Sequence, residues 1–354
     1  MLTVGIDLHS RQFNVCVLEG KGKVLFEESY RTSAENLVLV MNTLANPKRV
    51  VLEESDLAAW AWRVLQPHAQ QVVVADPTRN KWIAGDENSS DLSSARKLAQ
   101  LLRGGFIHPV HHYDEGHQVF KELVLFYYDL TYDIVRVKNR LKAKFRQHGV
   151  VCGTAEIYGP QRATWLERLT HPGARLQAEL LLSRLDDLES QKQRLEKEIK
   201  QLSRTFPIIA AWQELPGIGP IRAATFFALV GTPHRFANKR KLWAYCRLSV
   251  VGRDSGEGTG PRHLTHRGHS LLKDVLKGAA LTAIGAGDNP FRRQYYQLRS
   301  HEVSAEHAWL TVARAVGATM YAMWRDNTPY RPRSLPAGGP TEGRGKLRDT
   351  RSSS

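Results

Sequence analysis

The chain has 354 residues, 42% hydrophobic and 24% charged, which is long enough for two or three domains and ordinary for a soluble fold. Lys and Arg total 50 against 35 Asp and Glu, and the resulting charge of +15 favours a polyanionic partner, because binding phosphates releases their condensed counterions. An anionic membrane surface is the competing partner. No apolar run has spanning length and no signal peptide is recognisable, which predicts a cytoplasmic protein with no membrane attachment. The three cysteines, Cys16, Cys152 and Cys246, are too far apart for a zinc spacing and odd in number for a disulfide framework.

Residues 1–112 alternate strand and helix patterns and predict an α/β domain. Thr3 to Leu8 reads as an apolar strand interrupted by one carboxylate, Asp7. Phe13, Val15 and Val17 alternate as a second strand, Gly20-Lys21-Gly22 turns the chain, and Val24 to Glu28 pairs back as a hairpin. Ser33 is a candidate N-cap for a helix reaching about Leu44. Arg49 to Glu53 forms the next strand, followed by a helix from about Leu57 to Leu65 and a strand from Val72 to Ala75 that Asp76-Pro77 breaks. Ser89 to Leu102 reads as a helix with Asp91 in its first turn. Three segments of one unit therefore deliver Asp7, Glu53 and Asp91. A carboxylate inside a core strand is costly unless paired or metal-bound, so the set predicts oxygen ligands for Mg²⁺ or Mn²⁺. Two such ions about 4 Å apart are a recurrent device for cutting phosphodiesters. Each acid taken alone reads more simply as a strand-end or capping residue.

Residues 113–208 predict a helical region. From about His117 to His148, Leu123, Leu130, Ile134, Val137, Leu141 and Phe145 make one apolar stripe. The other faces hold Arg136, Lys138, Arg140, Lys142, Lys144 and Arg146 with no acid among them, which predicts nucleic-acid contact against the alternative of a solvated face. Residues 174–206 predict a second long helix, on which Leu181, Leu185, Leu188, Lys192, Leu195, Ile199, Leu202 and Phe206 step as a heptad seam. Lys192 is its one polar position. The two helices either pack on each other in one chain or form a coiled coil between protomers.

Residues 209–328 predict a mainly α domain. It opens on Leu215-Pro216-Gly217-Ile218-Gly219-Pro220 entering a helix, a helix-hairpin-helix type of turn in which the backbone at Gly217 and Gly219 can approach a DNA phosphate. The same pattern also occurs as a mere tight connection. Ser255 lies in the Gly-rich stretch from Gly252 to Gly260, where a hydroxyl can meet a backbone phosphate if a base or metal activates it. A lone serine there is otherwise a turn residue. Arg253, Arg262 and Arg267 could clamp a phosphate beside it. Tyr295 and Tyr296 offer either base stacking or packing. Residues 329–354, rich in Pro, Gly, Ser and Arg, read as a disordered basic tail.

Gly5-Ile6-Asp7-Leu8-His9, Val51-Leu52-Glu53-Glu54-Ser55 and Ser89-Ser90-Asp91-Leu92-Ser93-Ser94-Ala95 resemble the three acidic boxes of the DEDD transposases of IS-one-ten-type insertion sequences, relatives of the Piv invertases. Lys239-Arg240-Lys241-Leu242-Trp243, Arg253-Asp254-Ser255-Gly256 and His266-Arg267-Gly268-His269 resemble their C-terminal domain. The resemblance implies an RNase H-like, RuvC-type N-terminal domain, a coiled-coil insert assembling a dimer or tetramer, and a C-terminal transposase domain. It implies DNA as substrate, Mg²⁺ or Mn²⁺ at Asp7, Glu53 and Asp91, and Ser255 as a nucleophile that becomes linked to DNA. It also implies, for several members, a structured guide RNA of the bridge type. The family's third box reads Asp-x-x-Asp-Ala, and here Ser94 replaces its second acid; Asp86 and Glu87 are the nearby substitutes. Two rival readings remain: a nucleic-acid-binding relic with a lapsed site, and a RuvC-type junction nuclease with no covalent serine step.

Overall fold

The computed structural model describes residues 1–77, 91–151, 156–251, 254–255, 258–259 and 263–332. These divide into two compact units, Met1–Glu122 and Leu123–Ser354.

The first unit is built on a six-stranded mixed sheet in the order β3-β2-β1-β4-β5-β6. Its strands are β1 (Leu2–Leu8), β2 (Gln12–Leu18), β3 (Val24–Arg31), β4 (Lys48–Glu53), β5 (Gln71–Ala75) and β6 (Pro109–Val110). The first three form an antiparallel meander, β4 and β5 run parallel to β1, and β6 returns antiparallel to β5. Strand β3 runs three residues past the expected Glu28, because Tyr30 stacks on Phe13 at 5.6 Å and extends the pairing.

Alternation decides the two faces. Val4, Ile6, Leu8, Phe13, Val15, Val50 and Leu52 pack with α1 (Ala34–Thr43) and α2 (Ala58–Leu65) on one side. Ser33 caps α1 as expected, its hydroxyl accepting from the Asn36 amide at 3.2 Å. Cys16, Leu18 and Val51 turn to the other side, against Ala95, Leu98, Ala99 and Leu102 of α3 (Asp91–Gly104).

The second unit is mainly helical. Helix α4 (Glu115–Gln147) begins in the first unit and continues into the second, where it packs along α6 (Pro172–Ser203). The contacts run antiparallel: Lys192 lies over the Tyr127 ring, Glu189 pairs with Lys138, Leu185 meets Ile134 and Val137, and Leu182 and Ala178 meet Leu141 and Phe145. The two helices therefore pack on each other within one chain. Helix α5 (Arg162–Glu167) closes the far end with Trp165, Leu169 and Ile157. The buried residues of α6 are Ala174, Ala178, Leu182, Leu185, Ile199 and Ser203; Leu185 and Ile199 are on the predicted seam, Leu181 and Leu188 of that seam pack half-buried beside them, and Leu182 and Ser203 widen the line by one position. Small residues there let α4 approach closely, and α6 ends at Ser203, so Phe206 caps the next helix.

That helix is α7 (Pro207–Trp212), followed by α8 (Pro220–Val230), α9 (Lys239–Tyr245), α10 (Ser270–Gly285), α11 (Pro290–Ser300) and α12 (Ala305–Asp326). Their core holds Trp212, Phe226, Leu272, Leu276, Val316 and Met320, and the Trp212 indole donates to the Met320 carbonyl at 3.0 Å. Strands β7 (Val250–Val251) and β10 (His263–Leu264) pair as one short ribbon, and β8 (Asp254–Ser255) and β9 (Gly258–Thr259) as another. No helix among the described residues is long and apolar enough to cross a membrane.

Candidate metal centre and nucleic-acid interface

Asp7 stands one residue before the end of β1, and Glu53 ends β4, the parallel neighbour. Ile6 pairs with Leu52 and both belong to the opposite core, so Asp7 and Glu53 fall together on the face that α3 covers. The Asp7 side chain is only 14% exposed, and the His9 Nε2 lies 3.3 Å from its Oδ2. Glu53 is held above the ordinary carboxylate range, first by burial and then by repulsion from Asp7. No cation is paired with Glu53 among the described residues. Two hard oxygen donors that repel each other on a half-buried surface suit a divalent ion of the Mg²⁺ type.

Glu54 is turned elsewhere. Its carboxylate lies 2.7 Å from the Nε2 of His112, whose ring is nearly buried and stacks on Trp62. Of two consecutive acids, the strand alternation thus sends Glu53 to the shared face, and a histidine engages Glu54.

Helix α3 starts at Asp91, and its position is fixed tightly. A Cβ built on Gly5 would lie 2.0 Å from the Ala95 carbonyl oxygen and 2.7 Å from the Ala99 nitrogen, so only glycine lets the helix sit this close to β1. Arg96 forms a bidentate pair with Glu27 of β3, and Arg49 of β4 donates to the Leu102 carbonyl at 3.0 Å. Ala95 lies against Gly5, two residues before Asp7 on β1, and Asp91 is one helical turn earlier than Ala95. The Asp91 side chain, with Asp86 and Glu87, lies outside the described residues. Among the described residues no three acids, histidines or cysteines form a metal-binding group. Cys16, near the same helix, is pushed up to about 12 by burial and then by Glu27, which makes it a poor nucleophile.

In the second unit the expected acid-free face of α4 needs correction. Arg136 pairs with Asp133 at 2.6 Å and Lys138 with Glu189 at 2.7 Å, and both Lys138 and Lys142 lie over the Tyr158 ring. One acid comes from the preceding turn and the other from α6, out of reach of a reading along one helix. Arg140, Lys144 and Arg146 have no such partner among the described residues.

Gly217 has φ of +87°, and a Cβ there would lie 2.1 Å from the Ala279 carbonyl oxygen, so packing on α10 already requires glycine. Gly219 is the N-cap of α8, with open space where a Cβ would stand. Arg222 holds the turn by donating to the Gly217 carbonyl at 2.7 Å. Ser255 is on β8, opposite Gly258, so part of the stretch read as a loop is a short hairpin. Its side chain lies outside the described residues, as do Arg253 and Arg262. Arg267 is exposed near the start of α10. Tyr296 is 53% exposed with Arg292 over its ring at 5.2 Å.

Sequence reasoning passed over Gly5, Arg96 and Asn14. Gly5 carried a signal, being a glycine inside a β-branched run; Asn14 depends on strand pairing and Arg96 on the packing of α3 against β3.

Comparison with known proteins bears on both units. Residues 4–149 match a family model described as Transposase, the DEDD type of IS110, and residues 210–297 match the Transposase IS116/IS110/IS902 family. An uncharacterized 44.8 kDa protein of insertion element IS116 from Streptomyces clavuligerus is 30% identical over 137 residues, 39% of this chain and 34% of that one. The y4qE protein of Sinorhizobium fredii, a candidate transposase by name, is 23% identical over 223 residues, 62% of this chain and 55% of its own. The chain thus spans about a third and about half the length of these two relatives. Two stretches of the chain, one in each half, point to the same family, the transposases of the IS110/IS116 insertion elements.

Proposed function

We propose that the chain is a DNA transposase whose first unit holds divalent metal at Asp7, Glu53 and Asp91 and whose Ser255 attacks the DNA backbone. The observation that carries this reading is the shared placement of Asp7 and Glu53 on the α3 face, within the stretch similar to DEDD transposases. The hairpin-first mixed sheet with acids at strand ends supports an RNase H-like, RuvC-type fold. Mg²⁺ or Mn²⁺, when bound, lowers the cost of negative charge on a phosphate. Asp7 and Glu53, with Asp91 from the start of α3, would hold the ion.

The serine step forms an Oγ–P bond and breaks one P–O bond to the sugar, with the hydroxyl proton leaving to a base or water. A phosphodiester replaces a phosphodiester, so the reverse attack by a DNA hydroxyl can rejoin strands. Arg267, with Arg253 and Arg262, would neutralise the phosphate. The turn at Gly217 to Gly219 would serve as a helix-hairpin-helix contact to DNA. Arg140, Lys144 and Arg146 are the cations of α4 left for a structured guide RNA, since duplex RNA is gripped through phosphates and 2′-hydroxyls. Exposed Leu176 and Leu180 on α6 support assembly of copies through the helical region.

The test is strand cleavage with the element's DNA ends and its adjacent RNA, with a denaturing gel for the protein–DNA adduct. Asp7→Ala and Glu53→Ala should abolish cleavage with nucleic-acid binding nearly intact, and Ser255→Ala should lose the adduct. Wild-type protein that cuts without any adduct would favour the junction-nuclease reading. One that binds and never cuts would favour a relic weakened at Ser94.

A further inference from the structure

Asp7, Asn14 and Ser29 form a polar row across three adjacent strands. Asp7 of β1 stands directly opposite Asn14 of β2, and Asn14 directly opposite Ser29 of β3. Directly paired residues of antiparallel strands have side chains on one face, here the face covered by α3. Asn14 is 1% exposed. Its Oδ1 accepts from the Ser29 hydroxyl at 2.5 Å, and its Nδ2 is buried with no hydrogen-bond partner among the described residues.

That arrangement is unfavourable twice over. Asparagine is depleted in strands, and its neighbours Phe13, Val15, Cys16 and Val17 show what this strand otherwise selects. An amide nitrogen carries two donors, and burying them unused costs about 1–3 kcal/mol. In this structure the amide oxygen is turned to the Ser29 hydroxyl, so the donor end faces the remaining space beside Asp7. What is wanted there is an oxygen acceptor, and none of the described residues supplies one in this arrangement.

We propose that Asn14 is a positioning residue of the Asp7 centre, its Nδ2 donating to the Asp7 carboxylate when that carboxylate turns to a divalent ion. The inference rests on the reading of Asp7 and Glu53 as a metal site and adds a residue to it. A carboxylate has more acceptor positions than one ion uses, and a donor on the spare oxygen fixes its orientation. Groups that orient a metal's ligands in this way affect affinity about 10–100-fold when removed. The unused donor is then the cost of a site prepared in advance of its ion.

The experiment measures Mn²⁺ binding to the DNA-free full chain by calorimetry, with thermal melts in chelator alongside. The double variant Asn14→Leu/Ser29→Ala removes both polar partners together, a change that is close to neutral or stabilising for the fold. Its melting temperature should equal or exceed the wild type's, and its Mn²⁺ affinity should fall about 10–100-fold. Ser29→Ala alone keeps the amide but frees it to rotate, and should weaken Mn²⁺ several-fold; this variant decides the matter if the double one does not fold. A lower melting temperature with Mn²⁺ affinity within twofold of wild type overturns the inference and makes Asn14 structural. Asp7→Ala separates the two claims. If it binds Mn²⁺ as wild type does, the metal reading fails and the Asn14 inference with it. If it loses Mn²⁺ while the Asn14 variants keep it, only the role of Asn14 is overturned.

Discussion

Gly5→Ala should be the most informative single methyl group in the first unit. The new Cβ would stand 2.0 Å from the Ala95 carbonyl oxygen, and an ordinary contact begins at 3.4 Å, so β1 and α3 must separate by up to 3.4 − 2.0 = 1.4 Å at that point. Both obstructing atoms, the Ala95 oxygen and the Ala99 nitrogen, are backbone, so no side chain can move aside. Overpacking of this kind costs about 1–3 kcal/mol. The larger consequence is geometric. Arg96–Glu27 and Arg49–Leu102 hold α3 elsewhere, so the helix tilts about those anchors and its first turn, where the proposed ligand Asp91 stands, shifts relative to β1. Metal sites tolerate about 0.2 Å in ligand distance, and a misplacement of about 1 Å can cost 100-fold in rate. Thermal melts in chelator, Mn²⁺ calorimetry and strand cleavage together check this. The expected result is a moderate fall in melting temperature and a collapse of Mn²⁺ affinity. Ala95→Gly in the same chain should rescue neither, because the clash is with the backbone. A Gly5→Ala protein with wild-type Mn²⁺ affinity would refute the idea that this contact sets the site.

Two further outcomes follow from the electrostatics. Glu53→Gln should raise the melting temperature of metal-free protein by a few degrees at neutral pH, because it removes a carboxylate that burial and Asp7 hold above its ordinary range. The sign is fixed by linkage: native Glu53 retains its proton to higher pH than the unfolded chain, so wild-type stability falls as pH rises from the unfolded value through the raised one. The advantage of Glu53→Gln should therefore vanish in acid, and melts across pH that show the variant less stable at neutral pH would contradict it. On α4, replacing Arg140, Lys144 and Arg146 by Gln should flatten the slope of log K against log salt by about 0.9 per lost phosphate contact. The same change at Arg136 and Lys138 should do less, since Asp133 and Glu189 already engage them. Equal slopes for the two sets, read by filter binding over a salt series, would refute that division.

The strands and helices of the first unit were legible because each has its own period and punctuation. Asp7 and Glu53 stood out as carboxylates in apolar runs, and parallel pairing of β1 with β4 put them side by side. What a linear reading missed was lateral. The Asn14 amide looks like a poor strand residue until Asp7 and Ser29 are seen on either side of it. Glu189 lies 51 positions from Lys138 in sequence, and only the antiparallel packing of α4 on α6 joins them. The seam of α6 was legible only in part. Leucine spacing marked Leu181, Leu185 and Leu188, which pack toward α4, while Ala174 and Ala178 continue the same line as small residues that a reading by leucines alone leaves out. At Gly217 the sequence offered a phosphate contact, and the fold adds a requirement of its own, the approach of α10.

The first unit divides its labour between apolar seating and polar cost. Gly5, Ala95, Ala99, Leu98 and Val51 place α3 through contacts indifferent to pH, salt or metal. Asp7, Glu53 and Asn14 occupy the same face, where burial and Asp7 hold the Glu53 carboxylate above its ordinary range and the Asn14 amide nitrogen has no partner among the described residues. A fold can tolerate such a cluster only if the frame around it is rigid without it. The two anchors that do carry charge, Arg96–Glu27 and Arg49–Leu102, lie on the far side and at the far end of α3, where they oppose tilting without adding a cation to the carboxylates. A divalent ion would then meet its ligands with little rearrangement, and the repulsion between Asp7 and Glu53 would become the affinity that holds it.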